Sequence, residues 1–332
     1  DRIYQGGEAL CIHNAATGRE LTMPHDIPKA TIKKKVVIIG AGPAGMEAAR
    51  VSAERGHHVV VFEAAPKPGG QIRLAAQSPR RREMMSIIDW RITQCEARNV
   101  EFRFNTLAQP CDITELEPDV VIIATGGLPN TQLFETNKEQ SSVVTSWDII
   151  SGDVKPAKHM LIYDESGDHP ALQAAEFAAS LGSQIEIMTP DRTFAPDVMA
   201  MNLVPYMRSL QDKDVTFTVA RRLLDVKKSI EHSGKKFTAL IGTDYSDHTY
   251  AMDYDQIVVN YGTLPLDELY FDLKPLSSNA GEVDQTALIL GQVQEVSRNE
   301  AGKFQLFRIG DAVSARNTHA AIYDALRLMK DI

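Results

Sequence analysis

The stretch Lys35-Val36-Val37-Ile38-Ile39-Gly40-Ala41-Gly42-Pro43-Ala44-Gly45-Met46 sets the frame for the rest of the chain. Four β-branched residues in a row, halted by glycine, predict a strand covered on both faces, because a half-exposed strand would alternate apolar with polar. From Gly45 to Arg55 the alanines and Met46 permit close helix packing, Gly56 ends the helix, and Val59 to Phe62 is a second buried strand. The turn between first strand and helix reads Gly-x-Gly-x-x-Gly, and Glu63 closes the second strand eighteen residues past Gly45. In this setting Gly40 permits a tight turn, Gly42 lets backbone approach a pyrophosphate, and Gly45 lets helix and strand pack closely. With Pro43 and Ala44 they place free N–H groups at the positive end of the helix. Glu63, followed by Ala64, can accept hydrogen bonds from an adenosine ribose, and its charge disfavours a 2′-phosphate.

Working outward, residues 1–30 carry scattered glycines and two prolines but no period, and read as an irregular arm. Asp119 to Ile123 is a further buried strand running into Ala124-Thr125-Gly126-Gly127. The design then recurs, with Met160 to Tyr163 as strand, Ala171 to Leu181 as helix, Gly182 as its stop and Ile185 to Met188 as strand. Gln256 to Asn260 followed by Gly262 closes this second half. Phe304 to Ile309 returns as a strand into Gly310-Asp311, and Asn317 or Thr318 caps a last helix through Leu328. The expected class is α/β, two Rossmann-like doubly wound domains: a first domain over 31–128 and 286–332, interrupted by a second over 129–285.

The 332 residues are 43% hydrophobic and hold no apolar run of membrane-spanning length, and a net charge of −9 removes the electrostatic case for nucleic acid. Cys11, Cys95 and Cys111 have neither disulfide-framework nor metal-motif spacing, which suits a reducing cytoplasm. The chain opens at Asp1 without a signal-peptide pattern and reads as part of something longer.

FAD and NAD share the adenosine diphosphate that the glycine loop recognises, so other residues separate them. Asp311, at a strand end before a capped helix, can bind the hydroxyls of a ribityl chain, which NAD lacks. Together with Gly70-Gln71 and Thr125-Gly126, the Gly310-Asp311 pair points to FAD. The second half has no working loop: aligned from the strand, Asp164, Ser166 and His169 replace the glycines; aligned from the helix, Ser166, Asp168 and Ala171 do. Its carboxylates oppose a pyrophosphate, so this half is expected to bind NAD(P)H poorly or not at all. Arg80-Arg81-Arg82 reads as a solvated cluster, His57, His58, His159 and His169 as structural or exposed, and Trp90 and Trp147 as core or interface residues. No nucleophile–base constellation can be assembled.

The segment Gly6 to Glu20 (GGEALCIHNAATGRE), the glycine fingerprint, Gly69-Gly70-Gln71 and Gly310-Asp311-Ala312 together resemble the C-terminal half of a family of multi-domain flavoproteins. The family includes trimethylamine and histamine dehydrogenases, dimethylglycine and N-methylproline demethylase-like enzymes, and 2,4-dienoyl-CoA reductase. The resemblance covers essentially the whole chain. It implies an N-terminal barrel with FMN and a four-cysteine [4Fe-4S] segment, neither complete here, with Cys11 matching the last cluster ligand and no catalytic residue in this part. One thiolate cannot hold such a cluster, so Cys11 is expected as a free thiol. The degenerate second loop is similar to the amine dehydrogenases, implying oxidation of an N-methylated amine and an external acceptor such as an electron-transfer flavoprotein; the resemblance to trimethylamine dehydrogenase also leaves ADP in place of FAD at Gly40 to Glu63 as an alternative. The resemblance also implies a homo-oligomer for the intact protein. Two other readings stand beside it: an NADH-dependent enoate reductase module, and a non-catalytic interaction module stabilised by ADP or FAD.

Overall fold

The computed structural model describes residues 3, 6–131, 143–229 and 236–332. Two compact units emerge. One comprises the residues up to Ala76, Arg82–Leu128 and Leu264–Ile332; the other comprises Pro129–Thr263 with Gln77–Arg81. The return to the glycine-loop unit thus begins at 264, earlier than the position 286 read from sequence. The reason is local: Leu266 N–H bonds Gly126 O at 3.0 Å, and Tyr270 and Leu273 are buried beneath that unit's sheet.

The glycine-loop unit is built on five strands in the spatial order Gln305–Arg308, Val120–Ile123, Lys35–Ile39, His58–Phe62, Glu101–Arg103, every neighbouring pair parallel. Val36 and Ile38 face one apolar cluster, Val37 and Ile39 the other, which is why the run is continuous. Helix Pro43–Arg55 is buried from Ala44 to Ala53, and Gly56 stops it at φ 99° with its N–H returned to Ala53 and Ser52. Helix Thr318–Met329 starts at Asn317, whose side chain accepts from Ala320 N–H as the sequence predicts. The arm has no regular structure over 6–30 but is anchored by Ala15 and Ala16, which are fully buried.

The other unit repeats the plan with Val143–Thr145, Gln256–Asn260, His159–Asp164, Gln184–Met188 and Thr216–Thr218, again all parallel. Against it packs an antiparallel sheet, Arg222–Lys228, Phe237–Thr243 and Ser246–Tyr254, that the sequence reading missed. Arg80 is exposed, as the solvated reading expects, but it is not unpartnered: it pairs with Glu176 at 2.6 Å and lies 4.3 Å over the Tyr206 ring. Trp90 is no core residue either, being 44% exposed beside the Arg50 and Arg91 guanidiniums. No helix among the described residues is long and apolar enough to cross a membrane.

Candidate functional site

The parallel sheet of the first unit delivers four turns to the C-terminal ends of its strands. Strand Lys35–Ile39 runs into Gly40 at φ 101°, where an added Cβ would lie 2.4 Å from Ala124 O. A Cβ on Gly45 would lie 1.9 Å from Gly40 O. These two glycines serve the fold. Gly42 differs: its φ is −73°, open to any residue, and no heavy atom lies within 4 Å of its virtual Cβ. The fold leaves room beside Gly42 that a side chain would fill, and that is the space a bound pyrophosphate requires.

Helix Pro43–Arg55 begins here with no side-chain cap. Pro43 has no N–H, and helix geometry leaves the amides of Ala44 and Gly45 without an intrahelical acceptor, so the donor set suits an anion. Gly70 packs against this loop, its virtual Cβ 3.2 Å from Gly42 Cα, and Gly310 at φ 61° brings its own to 2.9 Å from Ala44 Cβ. Gln71 Nε2 donates to Asp311 Oδ2 at 3.2 Å, and Thr125 Oγ1 donates to Leu266 O at 2.5 Å beside the turn at Gly126. The residues named from sequence therefore converge around one helix end, although Gln71 and Asp311, which bond each other there, are 240 positions apart. Burial pushes the Asp311 carboxyl up, against the pull of the Arg316 amide and Gln71.

Glu63 is tied into the loop itself. Oε2 accepts Ala41 N–H at 2.7 Å and Oε1 accepts Ala65 N–H at 2.8 Å, leaving further lone pairs for ribose hydroxyls, while Ala64 is exposed next to it. Glu63→Ala therefore removes both a ribose acceptor and the loop's tether. ADP affinity is expected to fall about ten- to a hundred-fold, measured by calorimetric titration.

The equivalent turn of the second unit is closed on itself. Asp164 Oδ1 accepts Ser166 N–H at 3.1 Å, Gly167 N–H at 3.2 Å and Asn260 Nδ2 at 2.9 Å. Asp168 caps the next helix through His169 N–H, and a Cβ on Gly167 would meet Pro196 at 2.7 Å. Loop donors here are already used by carboxylates. Burial pushes the Asp164 carboxyl up to about 6 from 3.8, outweighing those hydrogen bonds. The folded state then holds the proton more tightly than the unfolded one, so this contribution is full below about pH 4 and is lost as pH rises through 6. Asp164→Asn, neutral throughout, is expected to flatten the slope of unfolding free energy between pH 4 and 6 by up to about 1.4 kcal/mol per pH unit. Urea titrations across that range measure it.

Sequence reasoning missed the polar cluster beneath the loop helix. Glu47 accepts from Arg91 Nε at 2.7 Å and from Arg50 at 2.7 and 3.0 Å, all three being almost fully buried. Burial pushes the Glu47 carboxyl up, but the Arg91 and Arg50 guanidiniums together hold it below its ordinary range. Arg91 also donates to His13 O at 2.9 Å and so ties the arm to the unit. On that arm Cys11 is a half-buried free thiol that accepts Asn14 N–H at 3.4 Å. Among the described residues no three of His, Cys, Asp or Glu converge to hold a metal ion. His57 is buried, accepts Lys34 N–H at 3.1 Å, and is pushed down to about 4 by burial and by Arg55 and Lys34.

This geometry has relatives. Over its full length the chain is 65% identical to a probable N-methylproline demethylase of Rhizobium meliloti (strain 1021), covering 48% of that protein. It is 42% identical over 343 residues to an N,N-dimethylglycine/sarcosine dehydrogenase of Chromohalobacter salexigens, covering 49% of it. The chain thus spans about half the length of the curated relatives it matches. Histamine dehydrogenase from Rhizobium sp. 4-9, at 20% identity, superposes with a TM-score of 0.80 over 98% of this chain and 48% of that one, a likeness of fold. The model of the family described as pyridine nucleotide-disulphide oxidoreductase matches residues 34–325, and with the glycine loop, the doubly wound sheets and this match in agreement, the chain belongs to that family as an FAD-binding oxidoreductase domain.

Proposed function

We propose that this chain is the FAD-binding, two-domain part of an amine dehydrogenase or N-demethylase. The observation that carries the reading is Gly42: open space and an ordinary φ at the one loop glycine whose absent side chain serves a ligand and not the fold. The Ala44 and Gly45 amides would receive the diphosphate, Glu63 the ribose, and Asp311, oriented by Gln71, the ribityl hydroxyls. Thr125-Gly126 and Gly70 would wall the same turn. FAD, when bound, supplies a centre able to exchange electrons in pairs or singly.

The similarity to N-methylproline demethylase and dimethylglycine/sarcosine dehydrogenase supports an N-methylated amine as the substrate of the whole protein. Its oxidation is assigned to FMN in the half that those relatives add, with Cys11 as one ligand of a [4Fe-4S] cluster shared with that half, and electrons leaving to an acceptor such as an electron-transfer flavoprotein. The intact protein is proposed to assemble from more than one copy. The self-capped loop at Asp164 speaks against the reductase reading, in which NADH delivers hydride to this half. Mixing the FAD-loaded chain with micromolar NADH in a stopped-flow instrument is expected to leave flavin absorbance unchanged over seconds. Rapid bleaching would transfer the assignment to an NADH-dependent enoate reductase, and a flavin that resists even dithionite would favour an interaction module.

A further inference from the structure

The turn that presents Asp311 is held from behind by a buried carboxylate outside the loop, Asp324 on helix Thr318–Met329, 6% exposed. Asp324 Oδ2 accepts the Gly310 N–H at 3.3 Å and pairs with the Arg316 guanidinium, while Oδ1 accepts Arg327 Nη2 at 3.2 Å. Arg316 in turn gives its backbone N–H to Asp311 Oδ1 at 3.1 Å. Both ends of the 310–316 turn are therefore fixed by one side chain, and Asp311 sits between them. Gly310 has little freedom to compensate, being in the left-handed region with its virtual Cβ 2.9 Å from Ala44. The glycine loop and Glu63 take part in none of these hydrogen bonds: Glu63 is held by Ala41 and Ala65.

We propose that Asp324, acting through Arg316 and the Gly310 amide, is a positioning residue for the part of FAD that lies beyond its adenosine diphosphate half. The inference rests on the reading above that FAD binds with Asp311 at its ribityl chain. A charged acceptor that orients a second carboxylate fixes where that carboxylate meets ligand hydroxyls, without touching the ligand itself. Its removal should therefore separate two affinities that a general loss of folding would lower together.

The test is calorimetric titration of the chain with FAD and, separately, with ADP, for wild type, Asp324→Ala and Arg316→Gln. FAD binding is expected to weaken about ten-fold in both variants while ADP binding stays within about two-fold of wild type. Asp324→Asn, which can still accept the Gly310 N–H, is expected to recover part of the loss. Unchanged FAD affinity would overturn the proposal, as would ADP affinity falling in step with FAD. Should Asp324→Ala not fold, Arg316→Gln carries the same comparison, because the Arg316 side chain is 37% exposed. Wild-type chain that binds ADP but not FAD would instead break the underlying reading, and the proposal with it.

Discussion

Gly42→Val is expected to abolish binding of FAD and ADP, weakening either by more than about a hundred-fold, while leaving the fold and its melting temperature nearly unchanged. Valine at φ −73° is unstrained and its Cβ has open space around it, so the folded state is expected to lose little. Its methyl groups fill the volume that the pyrophosphate needs at closest approach, and a blocked anion cannot reach the helix amides. Calorimetry with ADP reads the first effect and circular dichroism the second. The neighbouring loop glycines should behave oppositely. Gly45→Ala drives a Cβ to 1.9 Å from Gly40 O and is expected to destabilise the unit by several kcal/mol, at least the roughly 1–3 kcal/mol of an overpacked core site.

Arg91→Ala should have the largest effect on stability, about 3–5 kcal/mol in urea unfolding, because it breaks a buried ion pair and leaves Glu47 with Arg50 alone. It also deletes the hydrogen bond to His13 O, so the arm should become more sensitive to limited proteolysis. The double variant Glu47→Leu with Arg91→Met is expected to cost less than the two single changes added together, since it removes both charges of that pair and refills the space, Arg50 keeping Glu54 as its partner. Strict additivity would mean that the pair contributes nothing through its mutual attraction.

Both predictions depend on features of different visibility in the sequence. The strand, glycine turn and helix at 35–55 are plain because burial on both faces leaves an unbroken β-branched run and because the loop glycines stand at fixed offsets. Asp311 follows from its place at a strand end, and Gln71 from the Gly69-Gly70-Gln71 stretch. What the pattern does not carry is the reason for each glycine: only backbone geometry separates Gly42, where an added Cβ has open space, from Gly40 and Gly45, where it would collide with backbone. Glu47 and Arg50 look like an ordinary exposed helix pair three residues apart, and their burial follows from Arg91, forty-four positions from Glu47. Arg80 likewise finds Glu176 ninety-six positions on, a partner that no local rule predicts. The antiparallel strands Arg222–Lys228 and Ser246–Tyr254 escaped because one face is largely exposed and their sequences mix charge with apolar residues.

The nucleotide that the first unit retains decides its role most directly. The chain, saturated with an equimolar mixture of FAD and ADP, desalted and then denatured, should release FAD as the retained nucleotide when the supernatant is separated by chromatography. Release of ADP alone would make the loop a binder of the adenosine half and deny Asp311 its ribityl role. Retention of neither nucleotide would contradict the assignment of the site to Gly40–Gly45 and Glu63.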